Sequence, residues 1–95
     1  MITSKQRSQL RSLANGLDVL FQLGKTGIEE NFLKQIDQVL EIRELIKIKV
    51  LDNSGFTARE ASDIICKELK CEGIQAIGSK MVIYRKSSKN PRIEL

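Results

Sequence analysis

The run Gly24-Lys25-Thr26-Gly27 separates two segments of different periodicity. Before it, Val19-Leu20-Phe21-Gln22-Leu23 reads as a strand, and behind it a long helical pattern begins near Ile28. So short a connection forces the chain to pass from strand to helix through one tight turn. Glycine lacks a Cβ and tolerates φ > 0, so the backbone of such a turn can approach another molecule closely. The helix start behind it offers free N–H groups to an anion, and Lys25 adds a mobile positive charge. A plain strand-to-helix turn is the competing reading of the same four residues.

The remaining pattern supplies three helices and four strands. Ser4 to Ala14 reads as a helix capped by Ser4, with Leu10, Leu13, Ala14 and Leu17 as its apolar stripe and Asn15-Gly16 as its stop. The second helix spans roughly Glu29 to Ile42 and buries Phe32, Leu33, Ile36, Val39 and Leu40. Glu44 to Leu51 is the clearest strand, because Ile46, Ile48 and Val50 alternate with Lys47 and Lys49. After the turn cluster Asp52-Asn53-Ser54-Gly55, Thr57 and Glu60 fit a capping box, and the third helix buries Ala58, Ala61, Ile65 and Leu69. Ile74 to Ile77 and Met81 to Arg85 form a hairpin about Gly78-Ser79-Lys80.

The strand-helix-strand unit requires a right-handed crossover between parallel strands, while the final hairpin is antiparallel. The expected fold is therefore α/β in content (α+β by its mixed sheet), in the order α-β-α-β-α-β-β. Helices pack on a mixed four-stranded sheet whose second face, carrying Gln22, Lys47, Lys49 and Gln75, is only partly covered. At 95 residues the chain is one domain, read as residues 1–86, with residues 87–95 as a basic, flexible tail.

Charge is unevenly distributed. Residues 1–17 hold Lys5, Arg7 and Arg11 and no acid, and residues 80–95 hold Lys80, Arg85, Lys86, Lys89 and Arg92 against Glu94 alone. The middle of the chain is mildly acidic. Basic ends favour a polyanionic partner. No apolar run is long enough to span a membrane, and the N-terminus lacks a signal-peptide core, so a cytoplasmic protein with no membrane partner is expected.

Other chemistries find little support. Gly24-Lys25-Thr26 invites a P-loop reading, but that motif needs a glycine where Val19 stands, and the loop is too short to wrap a triphosphate. The chain has no histidine, the commonest general base, and Asp37, Glu41, Asp63 and Glu68 fall on helix faces typical of solvent. An enzyme, a small-molecule substrate, a cofactor and a metal are therefore not expected. Cys66 and Cys71, five apart on one predicted helix, would point roughly 140° apart, which argues against a disulfide and for two reduced, partly packed thiols.

An RNA-binding surface is easier to assemble. Gly24, Lys25, Thr26 and Gly27 would hold backbone phosphates, as GXXG loops do in KH-type domains. Arg7 and Arg11 of the first helix, and Lys80, Arg85 and Lys86 of the last strand and tail, would extend the contact. Phe21, Phe32, Phe56 and Tyr84 are too few for an aromatic stacking sheet, so recognition should rest on backbone and shape and be sensitive to salt. The alternative is a protein–protein adaptor using the partly covered sheet face.

The chain resembles the CRM domain, the chloroplast RNA splicing and ribosome maturation module, in its stand-alone bacterial YhbY-like form. The resemblance is carried by Ser4-Lys5-Gln6-Arg7 with Leu10 and Leu13-Ala14, by Leu23-Gly24-Lys25-Thr26-Gly27-Ile28 and by Glu44-Leu45-Ile46-Lys47-Ile48-Lys49-Val50. It continues through Gln75-Ala76-Ile77-Gly78 and Val82-Ile83-Tyr84-Arg85, nearly the whole chain. It implies a fold similar to the C-terminal domain of bacterial initiation factor 3. It also implies association with rRNA in precursors of the large ribosomal subunit and contact through the Gly24–Gly27 loop. Separately, the sequence gives no reason to expect an oligomer, and a monomer is expected. Glu29 departs from the family, which often has threonine or serine there; it removes a hydroxyl donor and adds negative charge beside the expected phosphate path.

Overall fold

The computed structural model describes residues 2–95. In chain order these form α1 (Ser4–Ala14), β1 (Val19–Leu23), α2 (Glu30–Arg43), β2 (Leu45–Val50), a 3-10 turn (Asp52–Ser54), α3 (Ala58–Leu69), β3 (Glu72–Ile77) and β4 (Lys80–Tyr84). The sheet order is β1-β2-β4-β3, with β1 parallel to β2 and the other pairs antiparallel. The expected α+β fold with a mixed four-stranded sheet is the one found.

Strand alternation divides the core in two. On one face Ile46, Ile48 and Val50 of β2 and Met81 and Ile83 of β4 pack against Ile36 and Leu40 of α2 and Ala61 and Ile65 of α3. Phe21 and Phe32 close the β1 side of this core edge to face, their ring centroids 6.2 Å apart. Burying an isoleucine or leucine this completely contributes roughly 1.5–3 kcal/mol each, so this layer is the main source of stability. On the other face Leu10 and Ala14 of α1 meet Leu45, Ile74, Val82 and Tyr84. Helix α1 thus covers the half of the face near Leu45 and Tyr84 and leaves open the half carrying Gln22, Lys49 and Lys80.

Several boundaries differ from the sequence reading for local reasons. Thr3, not Ser4, caps α1: its hydroxyl accepts the Gln6 N–H while the Gln6 side chain accepts the Thr3 N–H. Leu13, expected in the buried stripe, is 47% exposed. The box at Thr57 and Glu60 forms as expected. Helix α3 ends at Leu69 because Lys70 takes a left-handed conformation, φ 55°, and turns Cys71 back so that its N–H donates to the Cys66 carbonyl. The two cysteines therefore do not share a helix, and their sulfurs lie 3.3 Å apart, contrary to the divergence expected from helical spacing.

The segment expected to be a flexible tail folds back on the end of α2. Glu44, expected as the start of a strand, is instead the fully buried residue following α2, with φ 66°. Its carboxylate accepts the backbone N–H groups of Ser87 at 2.8 Å, Arg92 at 2.6 Å and Ile93 at 2.8 Å. Glu41, expected on a solvated face, accepts the Ser87 hydroxyl at 2.6 Å and the N–H groups of Ser88 and Lys89 at 2.9 and 3.2 Å. The segment is thus anchored largely through backbone donors that find charged acceptors, with Ile93 as an apolar side chain packed against the α1-side core.

Candidate nucleic-acid interface

The glycine loop sits at the end of the sheet where β1 and β2 finish. Leu23, fully buried, anchors its start, and the Leu23 carbonyl accepts the Leu51 N–H at 2.9 Å. The Gly24 carbonyl accepts the Gly27 N–H at 3.0 Å, closing a four-residue turn with Lys25 and Thr26 exposed at its tip. Gly27 has φ +76°, a conformation that L side chains rarely adopt. Gly24 differs: a Cβ there would lie 3.5 Å from Leu51 Cδ1 and 3.9 Å from Asn53 Oδ1, ordinary contacts. The fold itself requires a glycine at only one of the two positions.

Behind the loop, α2 begins at Glu30 with Glu29 as its cap, and the Glu29 side chain makes no capping bond. Two carboxylates thus occupy the start of the helix, where its dipole would otherwise draw an anion. The positive charge at this end therefore sits on Lys25 rather than at the helix start. The hairpin register brings Lys80 to the same end, since Lys80 pairs with Lys49, and Lys49 with Gln22 two residues before Gly24.

The other basic residues singled out in the sequence lie elsewhere. Arg85 follows β4 at its far end, about 16 Å along the strand from Lys80. Its guanidinium donates to the Asp37 carboxylate at 2.6 Å, the Asp37 carbonyl at 3.0 Å and the Leu69 carbonyl at 3.1 Å. It clamps α2 to the end of α3. Lys86 is exposed beside it. Arg7 donates to the Gly73 carbonyl and lies 3.7 Å from Glu72, fixing α1 to β3, while Arg11 stays exposed one turn later. The structure gathers the loop and Lys80, not Arg85 or Lys86, at one end. Lys49, absent from the sequence-derived site, joins them there; its alternation in β2 was the one available signal.

The site is a projecting tip rather than a cleft. Two depressions, about 410 Å³ beside Tyr84 and Ile93 and about 420 Å³ between α3 and β3, are lined by none of the four loop residues. Among the described residues no group of three or more His, Cys, Asp and Glu side chains is placed to hold a metal ion, and no helix is long and apolar enough to cross a membrane. A small projecting loop beside the lysine-bearing end of the central strands defines a module suited to an extended anionic polymer. Comparison with known proteins carries this further. The chain matches the CRS1 / YhbY (CRM) domain over residues 2–85 and belongs to that family.

Relatives agree. The chain is 41% identical over 95 residues to the "Probable RNA-binding protein YqeI" of Bacillus subtilis, covering 100% of this chain and 99% of that one. It is 34% identical over 88 residues to an "RNA-binding protein" of Haemophilus influenzae, covering 93% and 89%. The solution structure of SAV1595 from Staphylococcus aureus, for which RNA binding has been suggested, superposes with a TM-score of 0.74 at 48% identity, over 100% of this chain and 99% of that one.

Proposed function

We propose that this protein is a non-catalytic RNA-binding module of the cytoplasm that acts as a monomer on rRNA in precursors of the large ribosomal subunit and assists their assembly. The observation that carries the reading is Gly24. The fold has room for a side chain there, and its absence clears the backbone for close approach of another chain. Lys25 supplies the charge at the tip, and the turn backbone supplies N–H donors. The RNA-binding descriptions of its relatives and the family membership support RNA as the polymer. Large-subunit rRNA is the choice that the resemblance to YhbY-like proteins favours.

The test is sedimentation of cell lysate through a sucrose gradient at low and high salt, probing for this protein. Comigration with free large subunits or their precursors, lost at high salt, is expected, because lysine–phosphate contacts release counterions. Lys25→Glu should weaken binding to large-subunit rRNA several-fold while the domain stays folded. A protein that remains at the top of the gradient at low salt would refute stable association. An association that survives nuclease digestion would identify a protein partner instead.

A further inference from the structure

The open half of the α1-side sheet face carries a like-charge pair that the fold does not need. Lys49 of β2 and Lys80 of β4 are direct partners on an antiparallel ladder, so their side chains leave the sheet on the same face. Like charges opposite one another destabilise a sheet. Among the described residues, neither lysine has a carboxylate within ion-pair distance to offset the repulsion. A local arrangement that works against folding, with no compensating partner, marks a position where function has overridden stability.

The neighbours on the same row extend this feature. Gln22 of β1 pairs with Lys49, and Ile77 of β3, 67% exposed, pairs with Lys80. The row therefore reads Gln22, Lys49, Lys80, Ile77 across all four strands. Helix α1 stops short of it, since its buried contacts are with Leu45, Ile74, Val82 and Tyr84. At the β1 edge the row runs into the glycine loop, because only Leu23 separates Gln22 from Gly24.

We propose that Lys49 and Lys80, with Gln22 beside them, form a second RNA contact that receives backbone phosphates, so that the RNA strand runs from the Gly24–Gly27 loop across the open end of the sheet. This rests on the reading of the protein as an RNA binder. Two ammonium groups held side by side on a rigid ladder are pre-positioned for adjacent negative charges, and bound phosphate relieves their mutual repulsion. Gln22 supplies a neutral donor between them and the loop. The contact is to the backbone and carries no sequence preference.

The experiment measures binding of a fluorescein-labelled transcript of a large-subunit rRNA domain by anisotropy over a series of salt concentrations. It compares the full chain with K49Q/K80Q, with K25E, and with K34Q/K67Q, which removes two charges from the helices on the opposite face. K49Q/K80Q should lower the salt dependence of log K by about 2, one per phosphate-contacting lysine, and weaken binding at low salt. It should melt at the same or a higher temperature than the unmodified protein, because the repulsion is gone. K34Q/K67Q should bind as the unmodified chain does. A K49Q/K80Q salt slope equal to that of K34Q/K67Q would overturn the second contact, even if K25E reduces binding. An unmodified protein that fails to bind the transcript would overturn the RNA reading and this contact together.

Discussion

Arg85 and Asp37 are joined twice, through the Asp37 carboxylate at 2.6 Å and its carbonyl at 3.0 Å, and the same guanidinium reaches the Leu69 carbonyl at 3.1 Å. One side chain following β4 thus ties the middle of α2 to the end of α3. With the arginine side chain only 20% exposed, these bonds are partly shielded from water. Arg85→Ala should destabilise the domain by about 1–2 kcal/mol, since Asp37 remains half in solvent and keeps part of its hydration. Denaturant unfolding measures this. RNA affinity, measured where the variant is fully folded, should be unchanged, because Arg85 is spent on packing at the far end of the sheet.

The two glycines of the loop should separate stability from binding. Gly27→Ala forces an L side chain to φ +76° and should cost about 1–2 kcal/mol in thermal or chemical unfolding. Gly24→Ala places a methyl group in ordinary contact with Leu51 and Asn53, so stability should change by less than about 0.5 kcal/mol. RNA affinity should nevertheless fall in Gly24→Ala, where the added methyl obstructs close approach. A Gly24→Ala variant with full affinity would leave the close-approach argument without support.

What was legible in the sequence was what is encoded locally. The alternation in β2, the Thr57–Glu60 box and the glycine turn each depend on residues a few positions apart, and each appears where the pattern put it. The clamp of Arg85 on Asp37 spans 48 residues and depends on which helix ends beside which strand, so the sequence offered only a basic residue near a basic tail. Glu44 looked like one more polar residue at a strand start; its burial depends on a C-terminal segment whose backbone N–H groups bond it in a pattern with no periodic signature. The Lys49–Lys80 pairing needed the strand order, because β4 lies beside β2 only once β3 has taken the edge.

The thiol pair makes a prediction that two thiols diverging on one helix would not. The Cys71 thiol donates to Cys66 Sγ across 3.3 Å, and this bond holds the Cys66 pKa below the ordinary thiol value. The same bond, with burial, pushes Cys71 well above it. Reactivity follows the thiolate. Brief treatment with iodoacetamide at neutral pH should therefore alkylate Cys66 before Cys71, read by peptide mass spectrometry. In Cys71→Ser, where a hydroxyl replaces the thiol donor, Cys66 should keep its alkylation rate; in Cys71→Ala, that rate at neutral pH should fall.

The C-terminal segment should detach in acid, but only in strong acid. The Ser87 hydroxyl bonded to Glu41, opposed by partial burial and aided by the Ser88 and Lys89 N–H groups, brings that carboxyl from 4.5 to about 2. Glu44 is shifted in the same direction: burial pushes it up, but the N–H groups of Ser87, Arg92 and Ile93 together outweigh that cost. A carboxyl whose folded pKa lies below its unfolded one stabilises fully above the unfolded value and loses that contribution as pH falls toward the folded value. Stability from Glu41 should thus be constant near neutrality and decline from about pH 4.5 toward pH 2, and the Glu44 contribution is likewise lost only in acid. Amide exchange at Ser88 and Lys89, followed by NMR, should show release of the segment near pH 2 rather than near 4.5. Glu44→Gln keeps the shape but leaves one acceptor oxygen, so its NH2 must face at least one of the three backbone N–H donors. It should cost about 2–3 kcal/mol at pH 7 and loosen Ser87 first, since a single oxygen can still serve both Arg92 and Ile93, which share one Glu44 oxygen.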